Sequence, residues 1–349
     1  MINKLDIDIL IYFFTNHNTN IDKLLCVSKL YYNSINNLLQ KKFIKKQKSI
    51  ILSVNNNLYI SQLNSINNTE KSALLYNHYC NLSNYSTYTI FGDGQIFILD
   101  HFIKSYNIFI MNLYIYNSRT NILHNNLPKL NIKRQYAKCV TVSMNNTIYI
   151  LVLGGYNPLN SNSPISVVEY LDINEYNKGW RIMKNMEIAL THFEVTELNG
   201  KIYILGGRDK KWCLTNILHI FDLNTETWEY IELPWNTISR YDVLNIFTVN
   251  NKIWYTSSED NSIIYIFDPI TKQVINKNTE SYNKCRLEYI YSMTNFRQIN
   301  KQNIICISSN NYFQLYDIIK NKWTKTNIPF NLKLNNDNEI DNFRWGTII

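Results

Sequence analysis

The sequence predicts a mainly β protein of about six four-stranded units, residues 49–349, preceded by a small all-α segment, residues 1–48. Three observations predict it. The 349 residues include 54 Asn and 26 Tyr but only 9 Gly and 6 Pro. Asn favours turns over helix interiors, and Tyr suits pleated, half-buried surfaces. An A/T-rich genome would enrich the same residue types, so composition leans toward strands without deciding the matter. The second observation is a recurring pair of short apolar runs around a two-residue corner, clearest in FEVTELNGKIYILGG at 193–207. Its Asn199-Gly200 suits a type I′ turn, in which both central residues need positive φ. The third is a later run that ends in an aromatic residue, often followed by Asp, with another apolar residue seven positions on.

Taken in chain order, the first segment stands apart. LDIDILIYFF at 5–14 and IDKLLCVSKLYYNSINNLL at 21–39 have no hairpin corners, and Ile9, Leu10 and Phe13, then Leu24, Leu25, Val27 and Leu30, recur at helical spacing. These are two or three short helices. The corners follow at Asn55-Asn56, Asp93-Gly94, Asn145-Asn146, Asn199-Gly200, Asn250-Asn251 and Asn300-Lys301. After them come the runs LYI (58–60), IFI (96–98), IYI (148–150), IYI (202–204), IWY (253–255) and IICI (304–307). Their middle residues, Tyr59, Phe97, Tyr149, Tyr203, Trp254 and Ile305, lie 38, 52, 54, 51 and 51 apart. Third strands are expected in LLY (74–76), LYIY (113–116), VVEY (167–170), LHIFD (218–222), IYIFD (264–268) and QLYD (314–317). A step of seven from the aromatic reaches Leu123, Trp228, Val274 and Trp323, and Trp180 comes ten after Tyr170, an insertion of three. Four antiparallel strands repeated at about fifty residues describe a β-propeller blade. Six units are expected, with five or seven open, and the first is short. The final FRWGTII, 343–349, is placed to complete that first blade, since an unpaired edge strand invites aggregation.

Several classes are excluded. The net charge of +8 is diffuse, and its densest run, Lys41, Lys42, Lys45, Lys46 and Lys48, reads as a solvated face, so no nucleic-acid partner is expected. No apolar run approaches a membrane span, the first residues do not form a secretory signal, and the six Cys show no two-residue pairing, so a reducing, cytoplasmic setting is expected. The six His have no metal-ligand spacing. There is no phosphate loop, nucleophile elbow or dinucleotide fingerprint, so neither an enzyme nor a cofactor is expected.

The unit resembles the kelch repeat, whose period is about fifty residues. ILHIFDLNTETW at 217–228 carries its third strand and turn. Gly154-Gly155 and Gly206-Gly207 match its paired glycine, Arg134 and Arg240 its opening Arg, and His192 the His of the same stretch. The resemblance implies a kelch-type β-propeller over roughly 49–349, strongest around Tyr203. Residues 1–48 resemble an F-box: Leu5-Asp6-Ile7-Asp8-Ile9-Leu10 and Val27-Ser28-Lys29-Leu30-Tyr31 stand where that family has Leu-Pro-x-Glu-Ile-Leu and Val-Cys-Lys-x-Trp. Asp6, Asp8 and Tyr31 depart from the pattern. The resemblance implies docking to the Skp-type adaptor of a cullin RING ubiquitin ligase through Leu5, Ile9, Leu10, Phe13, Leu25, Val27 and Tyr31.

The function that follows is a substrate receptor of an SCF-type ligase, with propeller loops binding an unknown target protein. A stand-alone kelch scaffold for cytoskeletal or host proteins, its first helices only a cap, is the alternative. A copper oxidase, known among kelch-like propellers, has no ligand set here. Target-binding candidates are Arg208, Asp209, Lys210, Lys211 and Trp212, a loop that combines charges with an aromatic as interface hot spots do, together with Arg134 and Arg240. Each Arg is equally suited to bridging blades. Trp180, Trp228 and Trp323 are assigned to the core.

Overall fold

Short apolar runs separated by polar corners build six four-stranded antiparallel sheets among the described residues. The chain divides into units 1–47 and 48–349. The computed structural model describes residues 48–54, 57–63, 74–79, 87–92, 95–105, 108–117, 120, 122–144, 147–157, 163–234, 243–257, 263–278, 297–298, 303–308, 312–327 and 343–348. The expected helices of 1–48, and with them Leu5, Ile9, Leu10, Phe13, Leu25, Val27 and Tyr31, lie outside these residues, as does Arg240.

Sheet 1 contains β1 (Lys48–Val54), β2 (Asn57–Leu63) and β3 (Leu74–Tyr79). Sheet 2 contains β4 (Thr87–Phe91), β5 (Gln95–Ser105), β6 (Ile108–Asn117) and β7 (Ile122–His124). Sheet 3 contains β8 (Lys138–Met144), β9 (Thr147–Leu153), β10 (Val168–Asp172) and β11 (Arg181–Ile182). Sheet 4 contains β12 (Glu194–Leu198), β13 (Lys201–Leu205), β14 (Ile217–Asp222) and β15 (Thr227–Glu232). Sheet 5 contains β16 (Val243–Val249), β17 (Lys252–Ser257), β18 (Ile263–Asp268) and β19 (Gln273–Asn278). Sheet 6 contains β20 (Arg297–Gln298), β21 (Asn303–Ser308), β22 (Tyr312–Asp317) and β23 (Lys322–Asn327).

The last strand, β24 (Phe343–Ile348), pairs antiparallel with β1, so sheet 1 runs β24-β1-β2-β3. This corrects the reading of the first unit. LYI at 58–60 is in the third strand of its sheet and LLY at 74–76 in the fourth, not in the second and third. The short step of 38 from Tyr59 to Phe97 compared a third strand with a second. The first strand of that sheet comes from the other end of the chain.

Elsewhere the predicted registers appear as cross-strand pairs. Tyr116, Phe221, Phe267 and Tyr316 stand directly opposite Leu123, Trp228, Val274 and Trp323. The Asp that ends the third strand of sheets 3, 4, 5 and 6 closes the turn. Asp222 Oδ1 accepts from the Asn224 and Thr225 N–H groups, and Asp268 Oδ1 from Ile270 and Thr271. In sheet 3 the three-residue insertion is a 3-10 turn, Tyr176–Lys178. Trp180 just beyond it is buried, donates Nε1–H to the Pro128 carbonyl at 2.9 Å and packs on Phe97 of sheet 2. The corners Asn199-Gly200 and Asn250-Asn251 have φ of +53° and +73°, and +49° and +60°, as a type I′ turn requires.

Consecutive sheets abut through their first strands, β4 on β8, β8 on β12, β12 on β16 and β16 on β20. The core therefore lies between sheets. Alternate side chains of a strand point to opposite faces, so Ile202 and Ile204 of β13 join the cluster shared with sheet 3, and Tyr203 and Leu205 the cluster shared with sheet 5. Burial on both faces is why IYIL reads as an unbroken apolar run.

The double glycines end the second strands of sheets 3 and 4. Gly155 has φ +85°, and a Cβ there would lie 2.4 Å from the Gln135 carbonyl oxygen. Gly207, with φ +91°, has Thr191 O and Phe193 Cβ at 2.8 Å. Only glycine allows the second strand to turn past the incoming first strand so closely. The chain then re-pairs through isolated bridges, Gln135–Tyr156–Pro164 in sheet 3 and Thr191–Arg208–Leu214 in sheet 4.

Candidate functional site

These bridges place equivalent residues of two repeats side by side. Tyr136 and His192 each follow the first bridged residue, and Tyr156 and Arg208 each follow a double glycine. All four lie at the end of the sheets that carries the connections between second and third strands and between successive sheets. Lys138, at the start of β8, joins the two repeats by an ion pair to Glu194 of β12 at 2.7 Å.

The aromatic rings form a stack. His192 lies on Tyr136 with centroids 4.1 Å apart and planes 25° from parallel, and Tyr136 lies on Tyr156 at 5.5 Å and 20°. Trp212 meets Tyr156 at 6.2 Å and 65° and His192 at 6.3 Å and 54°. From sheet 2, His101 presents its ring to Tyr136 at 5.8 Å and 67°. Burial, then the nearby charges of Arg208 and Lys138, push the His192 imidazole down to about 4, so it is neutral at physiological pH. A neutral ring stacks without bringing a third cation into the site.

Three of these residues hold left-handed backbone: Tyr136 at φ +49°, His192 at +56° and Trp212 at +60°. Bulky side chains pay about 1–2 kcal/mol for this conformation. The other non-glycine residues of this kind among those described, such as Asn199, Glu226, Lys272 and Asn321, close tight turns between neighbouring strands. Strain outside simple turns concentrates at functional sites.

Of the target-binding candidates, the structure brings together Arg208, Asp209, Lys210, Lys211 and Trp212. Asp209 Oδ1 accepts from the Lys211 and Cys213 N–H groups at 2.8 and 2.9 Å, its carbonyl accepts from Trp212 N–H at 2.9 Å, and Arg208 Nη1 donates to the Trp212 carbonyl at 3.2 Å. The loop is tied to itself and holds Trp212 out at 44% exposure. Lys210 and Lys211 are exposed beside it.

Arg134 is no part of that surface. Its side chain is fully buried and ion-paired through Nη2 to Glu169 Oε1, while Nη1 donates to the Val167 carbonyl at 2.8 Å. Glu169 also accepts from Asn131 N–H and Nδ2 at 2.8 Å and from Ile132 N–H at 3.2 Å. The pair fastens the incoming connection onto sheet 3, and the partners of Arg134 all belong to that sheet or to the segment leading into it, so it does not bridge two sheets. Tyr136 and Tyr156 were not singled out from the sequence. Their signal was present: Tyr156 follows Gly154-Gly155 as Arg208 follows Gly206-Gly207, and Tyr136 precedes β8 by the interval that separates His192 from β12. Among the described residues no group of three or more His, Cys, Asp or Glu is placed to hold a metal ion.

A family model described as the Kelch motif matches residues 189–232, from the approach to sheet 4 through β15 and including His192, Gly206-Gly207 and Trp212. A putative F-box/kelch-repeat protein of Arabidopsis thaliana is 34% identical over 124 residues, 35% of this chain and 33% of that protein. A second from the same plant is 25% identical over 142 residues, 39% of each. An influenza virus NS1A-binding protein homolog of Xenopus laevis is 32% identical over 97 residues, 27% of this chain and 15% of that protein. The chain thus spans between a third and two fifths of the length of the two plant relatives. Residues 189–232 thus match the Kelch motif, and the chain is similar over part of its length to F-box/kelch-repeat proteins.

Proposed function

We propose that the chain is a protein-interaction module, a substrate receptor of an SCF-type cullin RING ligase, rather than an enzyme. In this reading the six sheets are six blades of a closed propeller, with β24 as the strand that closes it. Residues 1–48 are an F-box-like segment that docks a Skp-type adaptor through Leu5, Ile9, Leu10, Phe13, Leu25, Val27 and Tyr31, in the cytoplasm. The face of Tyr136, Tyr156, His192, Arg208 and Trp212 binds the target protein, joined by Lys210 and Lys211. The observation that carries this is Trp212, held out by an internally bonded loop over a stack that joins two repeats. Rigid aromatic anchors of this kind supply most of the energy of protein interfaces.

The test uses full-length protein with purified adaptor and with the set of cellular proteins it retains. Leu10→Asp is expected to lose the adaptor and keep the retained set, and Trp212→Ala to do the reverse. Adaptor binding unchanged by Leu10→Asp sinks the F-box assignment, and a retained set unchanged by Trp212→Ala sinks the assignment of the face. The Xenopus relative is named for binding a viral protein, and the second reading is a kelch scaffold that binds its partners without an adaptor. That reading is supported if wild-type protein retains its set but no adaptor.

A further inference from the structure

The chemistry of this face narrows its partner, an inference that rests on the face binding a protein. Arg208, Lys210 and Lys211 occur within four residues, and the one acidic residue among them, Asp209, has its Oδ1 turned inward onto two loop N–H groups. Lys138 adds a cation at the edge, balanced by Glu194. The loop's outward charge is therefore positive around an exposed indole. The rings themselves are mutually covered: Tyr136 has His192 on one side and Tyr156 stacked at a small angle as well, so they offer no open slot for a flat base. Trp212 offers indole surface for a single apolar side chain.

We propose that the face takes an acidic protein segment, with Lys210 and Lys211 receiving its carboxylates and Trp212 packing against an aromatic or aliphatic side chain flanked by them. Tyr136 and His192 are positioning residues that fix the indole. Attraction between exposed charges sets encounter and selectivity and is screened by salt, whereas the indole contact is not.

The probe is a fluorescein-labelled ten-residue peptide with Glu on both sides of one Phe, titrated with full-length protein and followed by anisotropy. Binding is expected to weaken about tenfold in Lys210→Glu/Lys211→Glu, equivalent to about 1.4 kcal/mol, and by a similar factor in Trp212→Ala. Raising the salt is expected to weaken the wild type strongly and not the double variant, whose reversed charges repel the peptide until salt screens them. Replacing Phe by Ala in the peptide is expected to weaken it, and replacing Glu by Lys to abolish it. All these side chains are exposed, so melting curves of the variants are expected to match wild type. The proposal is overturned if the Lys peptide binds as well, if the charge reversal has no effect, or if an oligothymidylate of similar length binds more tightly than the Glu peptide. If Trp212→Ala loses the retained cellular proteins but the Glu peptide does not bind, the partner chemistry is wrong and the face stands. If the variant keeps those proteins, the face itself is wrong.

Discussion

Sheets 3 and 4 share strand order, double glycine and turn chemistry, yet they fill one interior position differently. Where sheet 3 buries Arg134 against Glu169, the equivalent residues of sheet 4 are Leu190 and His219. Val152 and Ile204, which pair with Glu169 and His219, fix the equivalence. His219 is fully buried and edge-on to Tyr230 at 5.1 Å, neither ring nitrogen has a hydrogen-bond partner, and burial holds it down to about 4. The ion pair secures a long connection that has its own polar backbone to satisfy. Sheet 4 receives its chain through an apolar Leu and needs no such clamp. One backbone plan therefore tolerates either solution, and the difference separates what holds the repeat from what decorates it.

The largest effect expected from breaking the comparison is Glu169→Ala. It strands a buried guanidinium and three N–H groups of the incoming connection, with a cost of about 3–5 kcal/mol in chemical denaturation. Arg134→Leu, which installs the residue of sheet 4, is expected to cost less, because the carboxylate keeps its bonds to Asn131 and Ile132. Equal costs would mean that the pair and not the anchored connection matters.

Next is the feature the two sheets share. Gly207→Ala is expected to cost about 2 kcal/mol or more, from left-handed backbone and from contact with Phe193 and Thr191. Gly179→Ala has φ +80° but nothing within 4 Å of the added methyl, so only the conformational part applies. A similar loss at both positions would show that close approach is not what the double glycine serves.

The last expected effect is on pH dependence. His101, His192 and His219 each titrate near 4 in the fold, against 6.5 for an ordinary His. The unfolded chain binds more protons between these values, so stability is complete above about 6.5 and falls as the pH drops toward 4. Each unit of displacement corresponds to about 1.4 kcal/mol. His219→Leu is expected to flatten part of this slope in melting curves from pH 7 to pH 4.5. An unchanged slope would show that His219 does not titrate as its burial implies.

Most of the sheet plan was legible because it rests on local chemistry. Asn199-Gly200, the aromatic with its partner seven residues on, and the turn-closing Asp each act within a few residues. What was not legible depends on contacts distant in sequence. FRWGTI was expected in the first sheet, but the strands there were numbered one place early because LYI was compared with second strands. Arg134 left two roles open until Glu169, 35 residues away, came against it. Tyr136 and Tyr156 gain meaning only when neighbouring repeats stand side by side, and periodicity along one chain does not display that.

The most direct measurement compares the two ends of the sheets. Lysine-directed cross-linking of the full-length chain to a protein it retains, read by mass spectrometry, distinguishes Lys210 and Lys211 at one end from Lys252, Lys272 and Lys320 at the other. Cross-links concentrated at Lys210 and Lys211, and lost in Trp212→Ala, are the predicted result. Cross-links concentrated at Lys252, Lys272 and Lys320, with none at Lys210 or Lys211, would contradict the account.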